Sequence, residues 1–145
     1  MSYLKDEPLD VRAVAQQVVG AEQGGVVTFI GTVRNHHAGR AVLRLEYSAY
    51  GPMADQEIAL ILEEAATRWP ARIAAEHRVG TLEVGDVAVI VVAASAHRDA
   101  AFDACRYVIE EMKRRVPVWK REHYVDGTAG WVDPTAPAGV ILPVE

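Results

Sequence analysis

Residues Ser95 to Glu122 run S-A-H-R-D-A-A-F-D-A-C-R-Y-V-I-E-E-M-K-R-R-V-P-V-W-K-R-E. Just before them, Val87 to Ala94 is an apolar run rich in valine, too short to cross a bilayer and suited to a buried strand. His97 and Arg98 therefore fall at the carboxyl end of that strand, with Asp99 placed to cap a helix. Ala101, Phe102, Cys105, Val108, Ile109 and Met112 recur at three- and four-residue spacing, which makes one apolar stripe on a helix. Asp103, Arg106, Glu110 and Lys113 lie on its other face. Val116 precedes Pro117, and the residue before a proline is pushed out of the helical region, so the helix ends there.

Lys113, Arg114, Arg115, Lys120 and Arg121 crowd around this helix exit in a chain whose formal net charge is -5. Such a concentration of cations raises the local potential for an anion, although lysine and arginine also decorate helix C-termini simply because the helix dipole favours them there. The acidic balance argues against a general nucleic-acid coat and leaves room for a local anion site. With 145 residues, half of them hydrophobic, the chain is expected to form one domain over 1–145. Residues 1–23 form an N-terminal helix region of it and 132–145 a C-terminal tail. Its start lacks the apolar core of a signal peptide, and no stretch is long and apolar enough for a membrane span. The single cysteine excludes an internal disulfide and fits a reducing, cytoplasmic setting.

Taken in order, Leu9 to Val19 has the pattern of a helix capped by Asp10 and stopped by Gly20. Val26 to Val33 is β-branched and reads as a strand. Asn35 to Arg40 is polar, contains a glycine and is expected to be a loop of about six residues. It leads into a half-buried strand in which Leu43, Leu45, Tyr47 and Ala49 alternate with polar neighbours. Gly51-Pro52 opens a second helix with Ile58, Ile61, Leu62, Ala65 and Trp69 inward, ended by Pro70. Ile73 to Val79 alternates as another strand with His77 facing inward, and Gly80 to Asp86 should turn the chain into the Val87 strand. Past Glu122, Asp126-Gly127 marks a tight turn between strands around Tyr124 and Trp131. The order α-β-β-α-β-β-α-β-β predicts an α+β fold, mostly antiparallel, with its helices on one face.

Several chemistries are disfavoured by spacing. Adjacent side chains at His36-His37 diverge, and no carboxylate or cysteine nearby completes a tetrahedral set, so no metal is expected. Ser95, His97 and Asp99 are too close in sequence to converge as a catalytic triad. Cys105 falls on the apolar stripe, where burial raises a thiol's pKa. His77 reads as a satisfied core histidine. No glycine pattern matches a nucleotide fingerprint. What survives is cationic: Arg34 ends one strand, His97-Arg98 end another at a helix start where free N–H groups attract anions, and Lys113, Lys120 and Arg121 surround the helix exit. Arginine suits planar anion recognition, while a lysine freed of its proton can attack a carbonyl or accept a proton. Two neighbouring, partly desolvated lysines depress each other's pKa. The alternative is a non-catalytic anion- or RNA-binding module built on the basic cluster 113–121, with Trp119 as its stacking platform.

The stretches G-T-V-R-N-H from Gly31, R-W-P from Arg68, H-R-V-G from His77, S-A-H-R from Ser95 and P-V-W-K-R-E from Pro117 resemble, in order and spacing, the large catalytic subunit of molybdopterin synthase. The similarity covers Gly24 to Trp131. It implies an α/β hammerhead fold with a small added sheet, and an enzyme of molybdenum-cofactor biosynthesis needing no bound cofactor. In that family cyclic pyranopterin monophosphate receives two sulfurs and becomes the dithiolene molybdopterin. The sulfur comes as a thiocarboxylate on the C-terminal Gly-Gly of a small ubiquitin-like carrier. The family's catalytic lysines fall on Lys113 and Lys120. Its substrate-binding positions fall on Arg34, His97 and Arg98, with Lys120, Arg121 and Glu122 also lining the pocket and Arg68 of R-W-P added to that set. The large subunit is expected to dimerise between two carriers, a heterotetramer without nucleic acid or membrane partners. Thr32 stands where family members often carry lysine. The end Pro143-Val144-Glu145 is not Gly-Gly, so the chain is not expected to be the carrier.

Overall fold

The structure, a computed structural model, describes residues 2–132 and 142–143. In chain order the elements are β1 (Leu4–Lys5), α1 (Val11–Gln16), β2 (Gly25–Thr32), β3 (His36–His37), β4 (Arg40–Ala49), α2 (Gly51–Arg68) and β5 (Ala71–Arg78). They continue with β6 (Gly80–Glu83), β7 (Val87–Ser95), α3 (Arg98–Arg115), β8 (Val118–Tyr124), β9 (Ala129–Val132) and β10 (Leu142–Pro143). The fold is α+β with two sheets. One has strand order β1-β5-β7-β2, and the other runs β10-β9-β8-β4-β3 with β6 also paired to β4. Every pairing is antiparallel except the short parallel one between β1 and β5.

β7 is buried from Ala88 to Ser95 because both of its faces are covered. Val89, Val91 and Ala93 pack under α2 and α3 with Ile58, Ala104, Cys105 and Val108. Ile90, Val92 and Ala94 pack on the other side against Val14 and Val18 from α1 and the turn after it. The expectation of helices on one face is thus corrected. A strand apolar at every position, unlike an alternating one, demands cover on both sides, and α1 supplies it. That helix is also shorter than its pattern suggested, although Asp10 caps it as expected, accepting from the backbone N–H of Arg12 at 3.0 Å and of Ala13 at 3.4 Å.

Five local readings differ from the structure. The expected six-residue loop is a tight hairpin in which His37 pairs with Arg40 across Ala38 and Gly39, whose φ values are 49° and 77°. Two positive φ values in a two-residue connection match the twist of the flanking strands. The second strand does not alternate throughout: a register shift between Val42 and Arg44 turns Leu43 outward, 47% exposed, while Val42 and Leu45 are both buried. Such a bulge places two residues opposite one. Gly80 to Glu83 is a strand beside β4 rather than a turn. On α3 the N-cap is His97, without a side-chain cap bond, and Asp99 lies in the first turn. Phe102 is 59% exposed instead of joining the buried stripe of Ala101, Cys105, Val108 and Met112. The tail expected over 132–145 lies largely outside the described residues; within it, Leu142 and Pro143 pair with Trp131 and Gly130.

Candidate active site

Only Val116 and Pro117 separate the last turn of α3 from β8, so the chain passes from one layer to the other within two residues. The preceding-proline effect ends the helix, with Val116 N–H still bonded to Met112 C=O at 3.0 Å and Val116 in an extended conformation. Lys113, one turn before that end, and Lys120, on the new strand, face one cleft between the two sheets. Its other walls include Gly31 and Thr32 of β2, Tyr47 of β4 and His77 of β5. The cleft is narrow, a cavity of about 80 Å³ that opens to solvent. At Gly31 a side chain is excluded by its neighbour, because an added Cβ would lie 2.6 Å from Val89 Cγ1.

On β8, successive side chains take opposite faces. Lys120 shares its face with Glu122 and stands opposite Tyr47 on β4. Arg121 takes the other face, opposite Glu46. The structure therefore brings Lys113 and Lys120 together on the cleft, buries Glu122 beside Lys120, and leaves Arg121 on the far side of the sheet. Glu122 is 2% exposed. Its Oε1 accepts from His37 Nδ1–H at 2.8 Å and from the Tyr124 hydroxyl at 3.0 Å, and its Oε2 lies 4.0 Å from Lys120 Nζ.

The electrostatics follow from this packing. Burial holds the Lys120 pKa below the ordinary lysine value, Glu122 pulls it back up, and the charges of Lys113 and Arg34 push it down again. Lys113, whose side chain reaches along the cleft wall to the surface, is lowered by desolvation and by Arg34. Arg34, exposed just beyond β2, thus acts on both lysines. Tyr47 is pushed up to about 12, chiefly by burial and then by Glu122. His77 is lowered to about 4 by burial, against a raising hydrogen bond to the Arg78 carbonyl, with Lys113 lowering it slightly more. It donates Nδ1–H to that carbonyl at 2.7 Å and meets the Tyr47 ring edge-on at 5.0 Å between centroids. His77 is the satisfied histidine the alternation pattern predicted. It nevertheless lines the cleft, as does Tyr47, and neither was singled out as functional; their inward positions opposite the lysine-bearing elements were the available clue.

The remaining expected site residues stand elsewhere within the chain. His97 and Arg98 are exposed at the start of α3, the end of the helix opposite to Lys113. Arg68, at the exit of α2, places its guanidinium 4.5 Å above the Tyr107 ring and does not line the cleft. Two other members of the basic cluster are bound to carboxylates. Arg114 pairs with Glu111 at 2.6 Å, and Arg115 reaches Glu57 at 2.7 Å and Glu64 at 2.7 and 3.0 Å. Cys105 is 3% exposed, its thiol directed at the Val91 carbonyl 3.7 Å away, and burial pushes its pKa up. Among the described residues, no three His, Cys, Asp or Glu side chains are grouped to hold a metal ion, and no helix is long and apolar enough to cross a membrane.

This arrangement does not support the alternative of a nucleic-acid module. The five cations do not form one surface, and Trp119 lies on the face of β8 opposite Lys120, so it offers no stacking platform beside the paired lysines. Comparison with known proteins points the same way. Residues 4–115 match the family profile described as MoaE protein. The molybdopterin synthase catalytic subunit of Halalkalibacterium halodurans is 44% identical over 130 residues, which cover 89% of this chain and 83% of that protein. The crystal structure of molybdopterin synthase from Staphylococcus aureus superposes with a TM-score of 0.86 at 36% identity, over 90% of this chain and 96% of the other. A complex of subunits 1 and 2 of the molybdopterin-converting factor from Helicobacter pylori shares the fold, with a TM-score of 0.72 at 17% identity over 99% of this chain and 91% of that one. The chain belongs to the MoaE family, the catalytic subunits of molybdopterin synthase, and its activity is that of a sulfurtransferase in molybdenum-cofactor biosynthesis.

Proposed function

We propose that the cleft between the two sheets binds cyclic pyranopterin monophosphate and that Lys113 and Lys120 carry the chemistry by which it gains two sulfurs. The observation that carries this reading is the convergence of two lysines, from different elements, on one cleft whose surroundings lower both of their pKa values. A partly desolvated lysine supplies both forms the reaction needs. As an ammonium it holds a phosphate or thiocarboxylate, and as a free amine it attacks a carbonyl carbon or takes up a proton. Arg34 is the substrate's anion-binding residue on the same rim, and Glu122 governs Lys120 from beneath.

The sulfur arrives from outside, as the thiocarboxylate of a small ubiquitin-like carrier whose Gly-Gly tail ends beside the lysines. Two things favour an external donor: the chain's one thiol is buried, and the Helicobacter pylori neighbour of the same fold is a two-subunit complex. The reading also includes a homodimer at the centre of a heterotetramer. There, His97 and Arg98 of one copy complete the anion site of the other, with Arg68 and Arg121 as outlying contacts. The setting is the cytoplasm, where a lone free cysteine is at home.

Incubating the protein with cyclic pyranopterin monophosphate and thiocarboxylated carrier should yield the dithiolene product. Lys113→Ala and Lys120→Ala should each lower turnover at least tenfold while carrier binding changes little. Near-normal turnover in both variants would remove the lysines from the mechanism.

A further inference from the structure

The Glu122 carboxylate is held unsymmetrically. Two donors reach it, His37 Nδ1–H at 2.8 Å and Tyr124 O–H at 3.0 Å, and both converge on Oε1, while Oε2 is left facing the Lys120 ammonium at 4.0 Å. All three of these groups are buried, His37 at 8%, Glu122 at 2% and Tyr124 at 2% exposure, so bulk water does not substitute for a missing donor. The holders are themselves fixed. His37 sits at the end of the two-residue strand β3, just before Ala38, which takes a φ of 49°, a conformation that non-glycine residues adopt at a cost. The Tyr124 ring lies under the Arg40 guanidinium at 3.6 Å, and Arg40 is in turn bound to Asp126 at 3.1 Å and to Thr128.

We propose that His37 and Tyr124 are positioning residues of the active site, which act through Glu122 to set how readily Lys120 gives up its proton. With two donors on Oε1, the carboxylate's charge is partly satisfied without the lysine, and its pull on the ammonium is tempered. With both donors gone, Lys120 becomes the nearest partner of a buried carboxylate, and the ammonium is retained to higher pH. The other groups that bear on Lys120 are Lys113 from α3, Arg34 beyond β2, Tyr47 from β4 and His77 from β5, and none of them touches Glu122 Oε1. This inference rests on the reading of Lys120 as a working amine, but its test does not need turnover.

The experiment is competitive trace acetylation of the intact protein across pH, with the reactivity of Lys120 read by mass spectrometry and Lys113 as internal reference. In the His37→Leu/Tyr124→Phe double variant, the Lys120 midpoint should rise by about one pH unit, a tenfold loss of free amine at fixed pH, while that of Lys113 moves less. His37→Gln, which keeps an N–H donor, should restore most of the parent midpoint relative to His37→Leu. If the double variant does not fold, as judged by its melting transition, the comparison of His37→Leu with His37→Gln decides alone. A Lys120 midpoint that stays put or falls in the folded donor-less variants overturns the proposal. An active Lys120→Ala enzyme would instead overturn the catalytic reading while leaving the measured midpoint valid.

Discussion

Arg98 and Lys113 stand at opposite ends of one uninterrupted helix, α3, fifteen residues apart. At 1.5 Å per residue their backbones are roughly 22 Å from each other. The helix start is not free to swing toward the lysines. Gly25 of β2 lies so close that a Cβ there would come 3.1 Å from Arg98 Cα, and Gly24 N–H bonds the Ser95 carbonyl at 2.9 Å. Two long side chains recover only part of that distance, so one copy of the chain does not assemble both groups into a compact site. In the proposed homodimer, an isologous interface would bring the helix start of one copy toward the helix end of the other. Inactive Arg98→Ala protein mixed with inactive Lys113→Ala protein should therefore regain part of its sulfur-transfer activity, since each mixed dimer holds one intact site. Demonstrated subunit exchange with no return of activity would falsify the shared site.

Arg34 lowers the pKa of both lysines by its charge. A positive neighbour disfavours the ammonium, so removing it lets each lysine hold its proton to higher pH. The pH profile of turnover at saturating substrate should rise with the free amine, with its midpoint below the ordinary lysine value. In Arg34→Ala the midpoint should move upward. A midpoint that falls or does not move would show that Arg34 does not tune the amines.

His77 offers a stability test with a definite sign. Its pKa in the folded chain is lowered to about 4 from the usual 6.5, so between those values the unfolded chain binds the extra proton and the folded chain does not. Stability contributed by the neutral imidazole is intact above about pH 6.5, is lost as pH falls through that window, and levels off below about 4. The full loss is on the order of 3 kcal/mol. Urea unfolding at pH 7 and pH 4.5 should show a smaller decline for His77→Phe than for the parent. An equal decline in both proteins would assign the acid sensitivity elsewhere.

Arg115 ties α3 to α2 through Glu57 and Glu64, and the hydrogen bonds that Glu64 accepts, first from Arg115 and then from the Tyr107 hydroxyl, hold its carboxyl down at about 2. Arg115→Ala should lower Tm by about 4 °C without altering the lysine pH profile, since the network faces away from the cleft. Circular dichroism melting and the turnover assay together check both halves. A changed profile at unchanged Tm would put Arg115 in the site instead.

Patterns set by backbone period were legible in the sequence. The apolar run at Val87, the helix ending before Pro117 and the Asp126-Gly127 turn each depend on neighbours within a few residues. The bulge at Leu43 and the opposite face taken by α1 depend on partners far along the chain, and no local period records them. The cationic site was half legible. Composition showed five basic residues near the helix exit, but strand alternation separates Arg121 from Lys120. The pairing of Arg115 with carboxylates 51 and 58 positions away follows from how two helices pack. His77 shows the converse: its inward position was predicted, yet the space beside it exists only once β4, β8 and α3 have been placed around it.

Cys105 lies on the buried face of the same helix that carries Lys113, its sulfur turned to the Val91 carbonyl and its thiol pKa pushed up by burial. A host that passes sulfur from a carrier to a pterin runs the risk of losing it, since a nearby thiolate attacking the thiocarboxylate carbon would expel the sulfur as hydrosulfide and keep the carrier as a thioester. Sunk among Val91, Ala104 and Val108, this cysteine is a packing atom rather than a competing acceptor. Iodoacetamide applied to the folded protein should leave both the thiol and the turnover untouched. The catalytic subunit is in this sense chemically silent toward its own cargo, and fidelity of delivery is built into the hydrophobic core.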